Sequence, residues 1–560
     1  MTPPVAPSAA RPLSARAREL LAERAAVAAA PPIPRRTDRS RARLSAAQQR
    51  IWLHDQLEGG AGYVRPVALR ITGPLDVAAL ERAIGAIVGR HEALHSRLET
   101  GPDGLPLLRI VPEEVPSLVV EELDRPPGEP DGAVTHPRIL AEAYRPFDLL
   151  SEPPVRARLF RHAPDAHLLL TVFHHVAFDG WSVAIYLREL AAAYAAARGG
   201  EGDGLGKLAI QCGDIVEHAA AADSATDEDI AYWRSALSGV EPALALPPDR
   251  PRRPYQSRDA GRVALLLPAD LVERLRELSR HEEVSLFMTV AAALEILLSR
   301  YSGQEDFLIG IPVAGRTRPE MEALIGCFIN TLALRADLTG SPTFRELLQR
   351  VRRTATGAFA HQALPFEQVV RLLDGRSDRQ IGAGVQVLLN FRNLPAAAPG
   401  LDGLVVAQAD IPPAVTLFDL ELDLTDTGSG LTGALVYPAA LFDRATIARL
   451  AGHLRVLLES VVADPERPTA QLPMIPDEER RELLEVLSGS SEPVRERACI
   501  HHLIARRAAA APGALAVAGP AGELTYAALM ARAQAVPFEQ VVRLLDERSD
   551  CQIGAGVQVL

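Results

Sequence analysis

Apolar positions along this chain alternate between two periods, and that alternation occupies most of its length. Residues Val77–Leu98 carry apolar side chains at helical spacing, as do Ser182–Ala197, where Val183, Tyr186, Leu187, Leu190 and Tyr194 share one face. Short apolar runs rich in strand formers lie near Leu107–Val111 and Leu168–Phe173. The same rhythm resumes further on, with helices predicted at Ala269–Glu283 and Leu286–Tyr301 and strands near Phe307–Ile311, Val385–Phe391 and Gly433–Tyr437. Interleaved helices and strands predict an α/β fold, here in two lobes covering 44–222 and 223–465. Leu13–Ala30 reads as one further helix, ended by Pro31-Pro32, within an N-terminal linker or docking segment, 1–43. A Pro- and Glu-rich linker, 466–498, follows the second lobe.

Composition narrows the class. In 560 residues, 48% are hydrophobic and 23% charged, which describes an ordinary globular protein. A formal charge of −12 argues against a nucleic-acid partner, because only the Arg-rich stretch Arg35–Arg50 opposes repulsion by phosphate. That stretch is expected to be a solvated linker. Four scattered cysteines, without ligand or disulfide spacing, fit a reducing cytoplasm. No apolar run reaches the roughly 20 residues that span a bilayer, and the first residues lack a secretory pattern.

The chemistry concentrates at His174-His175-Val176-Ala177-Phe178-Asp179-Gly180-Trp181-Ser182. The two histidines end a strand, and Ser182 is placed to cap the following helix. Such a corner sets a titratable base beside backbone N–H groups at a helix N-terminus, which can hold developing negative charge. Asp179 sits deep enough in the corner to need a cation or several donors. Gly180 allows close backbone approach or an unusual φ, and Trp181 reads as packing.

The HHxxxDG pattern resembles the condensation domains of nonribosomal peptide synthetases. Leu44-Ser-Ala-Ala-Gln-Gln-Arg-Ile-Trp52, Asp55-Gln-Leu57, Arg90-His-Glu-Ala-Leu94, Ile325-Gly-Cys-Phe-Ile-Asn-Thr331 and His361-Gln-Ala-Leu-Pro-Phe-Glu367 match further signatures in the family's order. Two departures stand out: Gln211-Cys-Gly-Asp214 lacks the usual aromatic partners of its Asp, and Gly382-Ala-Gly384 replaces a Pro and a bulky apolar residue. The resemblance implies two chloramphenicol-acetyltransferase-like lobes, each a mixed sheet with helices, in a V-shaped pseudo-dimer around a central channel. It implies amide formation between a donor acyl thioester and an acceptor aminoacyl thioester. His175 then takes the central role, His174 supports the loop, Arg316 from the other lobe pairs with Asp179, and Asn330 lines the channel. The expected partners are donor and acceptor carrier proteins and an adenylation domain. Substrates ride on the carriers' 4'-phosphopantetheine, with no bound cofactor, no metal, no nucleic acid and no membrane. A starter acyltransferase using an acyl-CoA donor and a catalytically silent binding module are the rival readings.

Two stretches invite other interpretations. His91-Glu-Ala-Leu-His95 matches a zinc-protease pattern on the predicted Val77–Leu98 helix, yet both histidines share a face with Ile84, Ile87 and Val88, which favours an apolar lining. Beyond the linker, 499–536 resembles the start of an adenylation domain, cut short by 537–560, which repeats 365–388 except at Gly375/Glu547 and Arg379/Cys551. His501-His502 has no Asp-Gly after it and receives no catalytic role. Residues from about 499 onward are expected to be poorly ordered, or to compete with 365–388 for its strand position.

Overall fold

The structure is a computed structural model. It describes residues 31–486, except 59, 102–103, 124–133, 200–201, 223–225, 241–242, 254–255, 373–384 and 394–399, and residues 500–534 except 520–521. The predicted helix at 13–30, the Gly382–Gly384 departure and the duplicated copy 537–560 lie outside the described residues. Two compact units divide at Pro476/Asp477, so 466–476 belongs to the body rather than to a linker. Leu472 is core there, and Arg300 donates to the Thr469 and Leu472 carbonyls.

The first lobe opens with β1 (Arg41–Arg43) and α1 (Ala46–Glu58). Ser45 and Gln48 start α1 as a reciprocal cap, each side chain accepting the other's backbone N–H. Then follow β2 (Val64–Thr72), α2 (Val77–Arg90), β3 (Ser96–Thr100), β4 (Pro106–Ile110), β5 (Leu118–Glu122) and α3 (Pro137–Ala143). The lobe continues with β6 (Val155–Ala163), β7 (Ala166–His174), α4 (Gly180–Gly199) and α5 (Cys212–Ala222). Alternation along β2, β6 and β7 sends Leu69, Leu159 and Leu169 toward Ile84, Ile87, Leu187 and Leu190 of α2 and α4.

The second lobe begins with α6 (Asp227–Ala236), whose Trp233 enters its core, and β8 (Ala260–Leu267). It contains α7 (Ala269–His281), α8 (Leu286–Ser302), β9 (Asp306–Val313), β10 (Asn330–Asp337), α9 (Phe344–Ala360), α10 (Phe366–Leu372) and β11 (Val387–Arg392). Next come β12 (Val405–Ala409), β13 (Leu420–Asp426), β14 (Leu431–Pro438) and α11 (Arg444–Ala463). Both main sheets are mixed, in the orders β12-β2-β7-β6-β5 and β10-β9-β11-β13-β14-β8. Strand β12 therefore crosses over and completes the first lobe's sheet against β2, which the division at 222/223 did not foresee.

Three local expectations need correction. The helix predicted over Val77–Leu98 ends at Arg90: residues Glu92–His95 form a 3-10 turn, and Ser96 already starts β3. Leu94 and Leu98 continue the apolar rhythm but are buried by packing and by pairing with β4, a distinction period alone cannot make. The Arg-rich stretch is not uniformly solvated, because Arg36 is gripped by Glu92 and Asp214, with a side chain 5% exposed, and Ile33 is buried. The departure at Gln211–Asp214 is filled the same way, since Asp214 spends its charge on Arg36 and Arg39.

The second unit, Asp477–Leu560, contains α12 (Asp477–Arg481), α13 (Ile500–Ala510), the hairpin β15 (Leu515–Gly519) and β16 (Gly522–Thr525), and α14 (Tyr526–Gln534). Within the tail expected to be poorly ordered, residues 500–534 form these elements. Tyr526 and Ala527 donate to the Ala514 and Pro512 carbonyls, closing a helix–hairpin–helix.

Candidate active site

The corner after β7 is held from three sides. His174 is fully buried; its Nδ1 accepts the Val176 N–H at 3.1 Å, so the ring proton sits on Nε2 and faces Asp55 Oδ1 at 3.2 Å. Gln48 Nε2 donates to the Val176 carbonyl at 2.7 Å, and the His175 N–H donates to the Tyr63 carbonyl at 2.8 Å. Beneath them Phe173 and Phe178 stack with ring centroids 3.7 Å apart, edge-on to Tyr186, whose hydroxyl meets Thr171. The corner has no slack to reorient.

His175 is 8% exposed, and its Nδ1 is sealed from solvent without a hydrogen-bond partner among the described residues. Burial first, and then the nearby Arg65 guanidinium, push its pKa well below the usual histidine value. The ring is neutral at pH 7.

Asp179, not Ser182, caps α4. Its Oδ1 accepts the Ser182 N–H at 2.9 Å, placing Ser182 in the third helical position. The Ser182 hydroxyl donates to the same oxygen at 2.7 Å and accepts the Gly326 N–H at 3.2 Å. Arg316 Nη2 meets both Asp179 oxygens, at 3.1 and 3.2 Å, and the Phe328 N–H donates to Oδ2. The same guanidinium donates through Nη1 to the Met321 and Leu324 carbonyls and lies over the Phe328 ring. Gly315 makes that approach possible: at φ +62°, a Cβ there would stand 1.9 Å from the Phe328 carbonyl oxygen. One buried carboxylate thus joins a helix start in the first lobe to two loops of the second.

The remaining candidates fall differently. Gly180 needs no unusual φ, contrary to expectation; it is exposed, with nothing within 4 Å of a Cβ built on it. Trp181 packs as expected, donating to the Glu322 carbonyl and lying near Arg316. Asn330, expected to line the channel, latches the segment from Gln362 to Phe366. Its amide donates to the Gln362 and Leu364 carbonyls and accepts from Thr331 and Phe366, leaving no capacity for a substrate. His91 and His95 are not on one α-helix: His91 Nε2 lies 2.8 Å from Glu189 and its Nδ1 accepts the Ile325 N–H, while His95 Nδ1 faces the Val88 carbonyl. Both are buried, but held by polar partners rather than lining the apolar face of α2.

Sequence reasoning missed Gln48, Asp55 and Arg65. Asp55 and Gln48 stand in the family signatures, so their motif membership was the signal that could have found them. Arg65 carried none.

A family model described as "Condensation domain" matches residues 39–484. This chain belongs to the condensation-domain family. It is 38% identical over 524 residues to malpinin synthetase of Mortierella alpina, covering 93% of this chain and 7% of that protein. Phosphinothricin tripeptide synthetase PhsC of Streptomyces viridochromogenes is 37% identical over 529 residues, 92% of this chain and 48% of that one. The chain therefore spans under half the length of both relatives. Among solved structures, the X-domain from teicoplanin biosynthesis matches with a TM-score of 0.71 at 30% identity, over 80% of this chain and all of that one. The first condensation domain of the calcium-dependent antibiotic synthetase, in complex with a substrate analogue, shares the fold with a TM-score of 0.67 at 23% identity, over 78% of this chain and all of that one. This is the condensation-domain fold, with two mixed sheets. Among the described residues no single helix is long and apolar enough to cross a membrane.

Proposed function

We propose that this condensation domain forms an amide between a donor acyl or peptidyl thioester and the α-amine of an acceptor aminoacyl thioester. Both are delivered on the 4'-phosphopantetheine arms of carrier proteins that an adenylation domain loads. The amine nitrogen bonds to the thioester carbonyl carbon, the C–S bond breaks, and the ammonium proton leaves through His175 to the departing thiolate.

A free α-amine has a pKa of about 7.7–8.0, so stripping its proton near pH 7 costs only about 1 kcal/mol. Alignment of the two arms can contribute about 7–11 kcal/mol. His175 is accordingly an orienting acceptor rather than a strong base. The observation that carries this reading is the ring's place, fixed at the β7–α4 corner with Nδ1 buried, where burial and Arg65 favour its neutral form and Nε2 is the nitrogen through which it would act. Gly180 leaves open space for the reacting carbonyl. His174, Asp179, Ser182 and Arg316 position the corner.

The test incubates the folded protein with aminoacyl-loaded donor and acceptor carriers. His175→Ala should lower amide formation by about 10²- to 10⁴-fold while the denaturation curve is unchanged. Between pH 6 and 8 the rate should follow the acceptor amine, because a ring already neutral at pH 6 adds no inflection near 6.5. A parent-like rate in His175→Ala would remove the central role. A docking module is the second reading, favoured by similarity at 32% identity to an X-domain solved in complex with OxyB. No product from well-folded protein and loaded carriers would favour it.

A further inference from the structure

Residues Pro31 to Arg36 cross a seam that both lobes build. Ile33 is 5% exposed and clusters with Ile210 and Ile215 of the first lobe and with Met321 and Leu324 of the second, beside Phe328. Both ends of this strap are tied down. Arg318 Nη2 donates to the Pro31 carbonyl at 2.8 Å, and the Arg36 N–H donates to Asp214 Oδ1 at 3.0 Å.

Arg36 is a built anchor rather than a surface charge. Its guanidinium gives Nη1 to Glu92 Oε1 and Asp214 Oδ1, each at 3.0 Å, Nη2 to Glu92 Oε2 at 2.6 Å, and Nε to the Arg41 carbonyl at 3.0 Å. Backbone donors complete the two carboxylates: the Gly213 N–H meets Glu92 Oε1 at 2.7 Å, and the Gln211 N–H meets Asp214 Oδ2 at 2.9 Å. A buried ion group holds only when its remaining donors and acceptors are satisfied, as they are here. Gly213 leaves the room, because a Cβ there would stand 2.8 Å from both Arg36 Nη1 and Glu92 Oε1.

The strap bears on the loop that supports the candidate site. Met321 and Leu324, which share a cluster with Ile33, are the residues whose carbonyls accept Arg316 Nη1, while Arg316 Nη2 grips Asp179. A second route runs through the signature turn after α2. Glu92 holds Arg36, and its neighbour His91, oriented by Glu189 at 2.8 Å, accepts the Ile325 N–H at 3.2 Å. The next residue, Gly326, donates its N–H to the Ser182 hydroxyl. Emptying the Ile33 site would let Met321 and Leu324 relax, and the two Arg316 acceptors would move with them.

We propose that Ile33 and Arg36 are positioning residues for amide formation. The strap braces the loop from Met321 to Phe328, so that Arg316 holds Asp179 and Asp179 holds the corner of His175. The inference rests on the amide-forming reading for its consequence but not for the brace itself. A pull that lifts Pro31–Arg36 slackens the site.

The test is hydrogen exchange of the full chain read by mass spectrometry, with kcat and KM for loaded carriers measured beside it. In Ile33→Ala and Arg36→Ala the amides of 321–328 should exchange at least about tenfold faster, while those of α8 keep the parent rate. The kcat should fall by about 10- to 100-fold, with KM within about twofold of the parent. Arg36→Lys keeps the charge and part of the hydrogen bonding, and should recover part of both. Gly213→Ala, which expels the guanidinium without altering the strap, should match Arg36→Ala. Unchanged exchange at 321–328, acceleration spread equally to α8, or a parent-like kcat with a loosened loop would overturn the proposal. A loosened loop in the variants, with no amide product even from the parent, would sink the proposed reaction and leave the brace standing.

Discussion

Removing the Asp179 carboxylate strands more than its salt bridge. In Asp179→Ala the Arg316 guanidinium, with a side chain 2% exposed, keeps the Met321 and Leu324 carbonyls and the Ser182 hydroxyl but no counter-charge, and the Ser182 and Phe328 N–H groups lose their acceptor. Breaking one partner of a buried pair costs about 3–5 kcal/mol, because an uncompensated charge remains. Uncapping α4 alone is worth about 1 kcal/mol, and since it uses the same oxygen it does not simply add. We therefore expect a loss of about 3–5 kcal/mol against a total that is typically about 5–15 kcal/mol, with lower soluble yield. Urea denaturation followed by tryptophan fluorescence is a suitable assay, because Trp181 lies 5.9 Å from the Arg316 guanidinium and reports on the site. The double variant Asp179→Leu/Arg316→Met removes both charges and should recover most of the loss, giving a coupling of at least about 2 kcal/mol. If Asp179→Ala costs under about 1 kcal/mol, or the two single effects simply add, the clasp is not what joins the lobes here.

Two other perturbations test the fold around the site. Glu295 of α8 is 1% exposed, neither oxygen has a hydrogen bond among the described residues, and burial with Asp337 raises its pKa well above the usual carboxylate value. Below about pH 4.5 it is protonated folded and unfolded alike; above that the unfolded chain ionises first, so stability falls as pH rises toward the folded value. Glu295→Leu should flatten that slope and add about 1–3 kcal/mol at pH 7–8, and a variant that is less stable there, with the slope intact, would refute this. Asp55→Ala leaves the buried His174 Nε2–H without an acceptor, which should cost about 1–3 kcal/mol and lower the rate of amide formation with little change in KM. Asp55→Asn retains a carbonyl for that N–H and should recover part of both; a fully active Asp55→Ala would free the corner from α1.

Patterns local in the chain were legible before any coordinates. Ser182–Ala197 reads as a helix from its own spacing, and the structure extends it only to Gly180 and Gly199. Leu168–Phe173 reads as a strand for the same reason, within Ala166–His174. The motif order identified the family and pointed to His175, Asp179 and Arg316, because those residue types recur at spacings the chain displays openly. Where Val77–Leu98 breaks, how β12 changes lobes, and what Asn330 holds were not legible, since each depends on partners distant in sequence.

The amino-acid order alone determined the locally periodic segments, such as the helix over Ser182–Ala197 and the strand over Leu168–Phe173, and its motif order determined the family. Tertiary structure alone decided partnership and the direction in which charge is biased: that burial and Arg65 favour the neutral form of His175, that Asp179 rather than Ser182 caps α4, and that Arg316 closes on Asp179. The reason is physical. Desolvation and electrostatic coupling depend on distances in space, and Asp179 and Arg316, 137 positions apart, meet only in the folded chain.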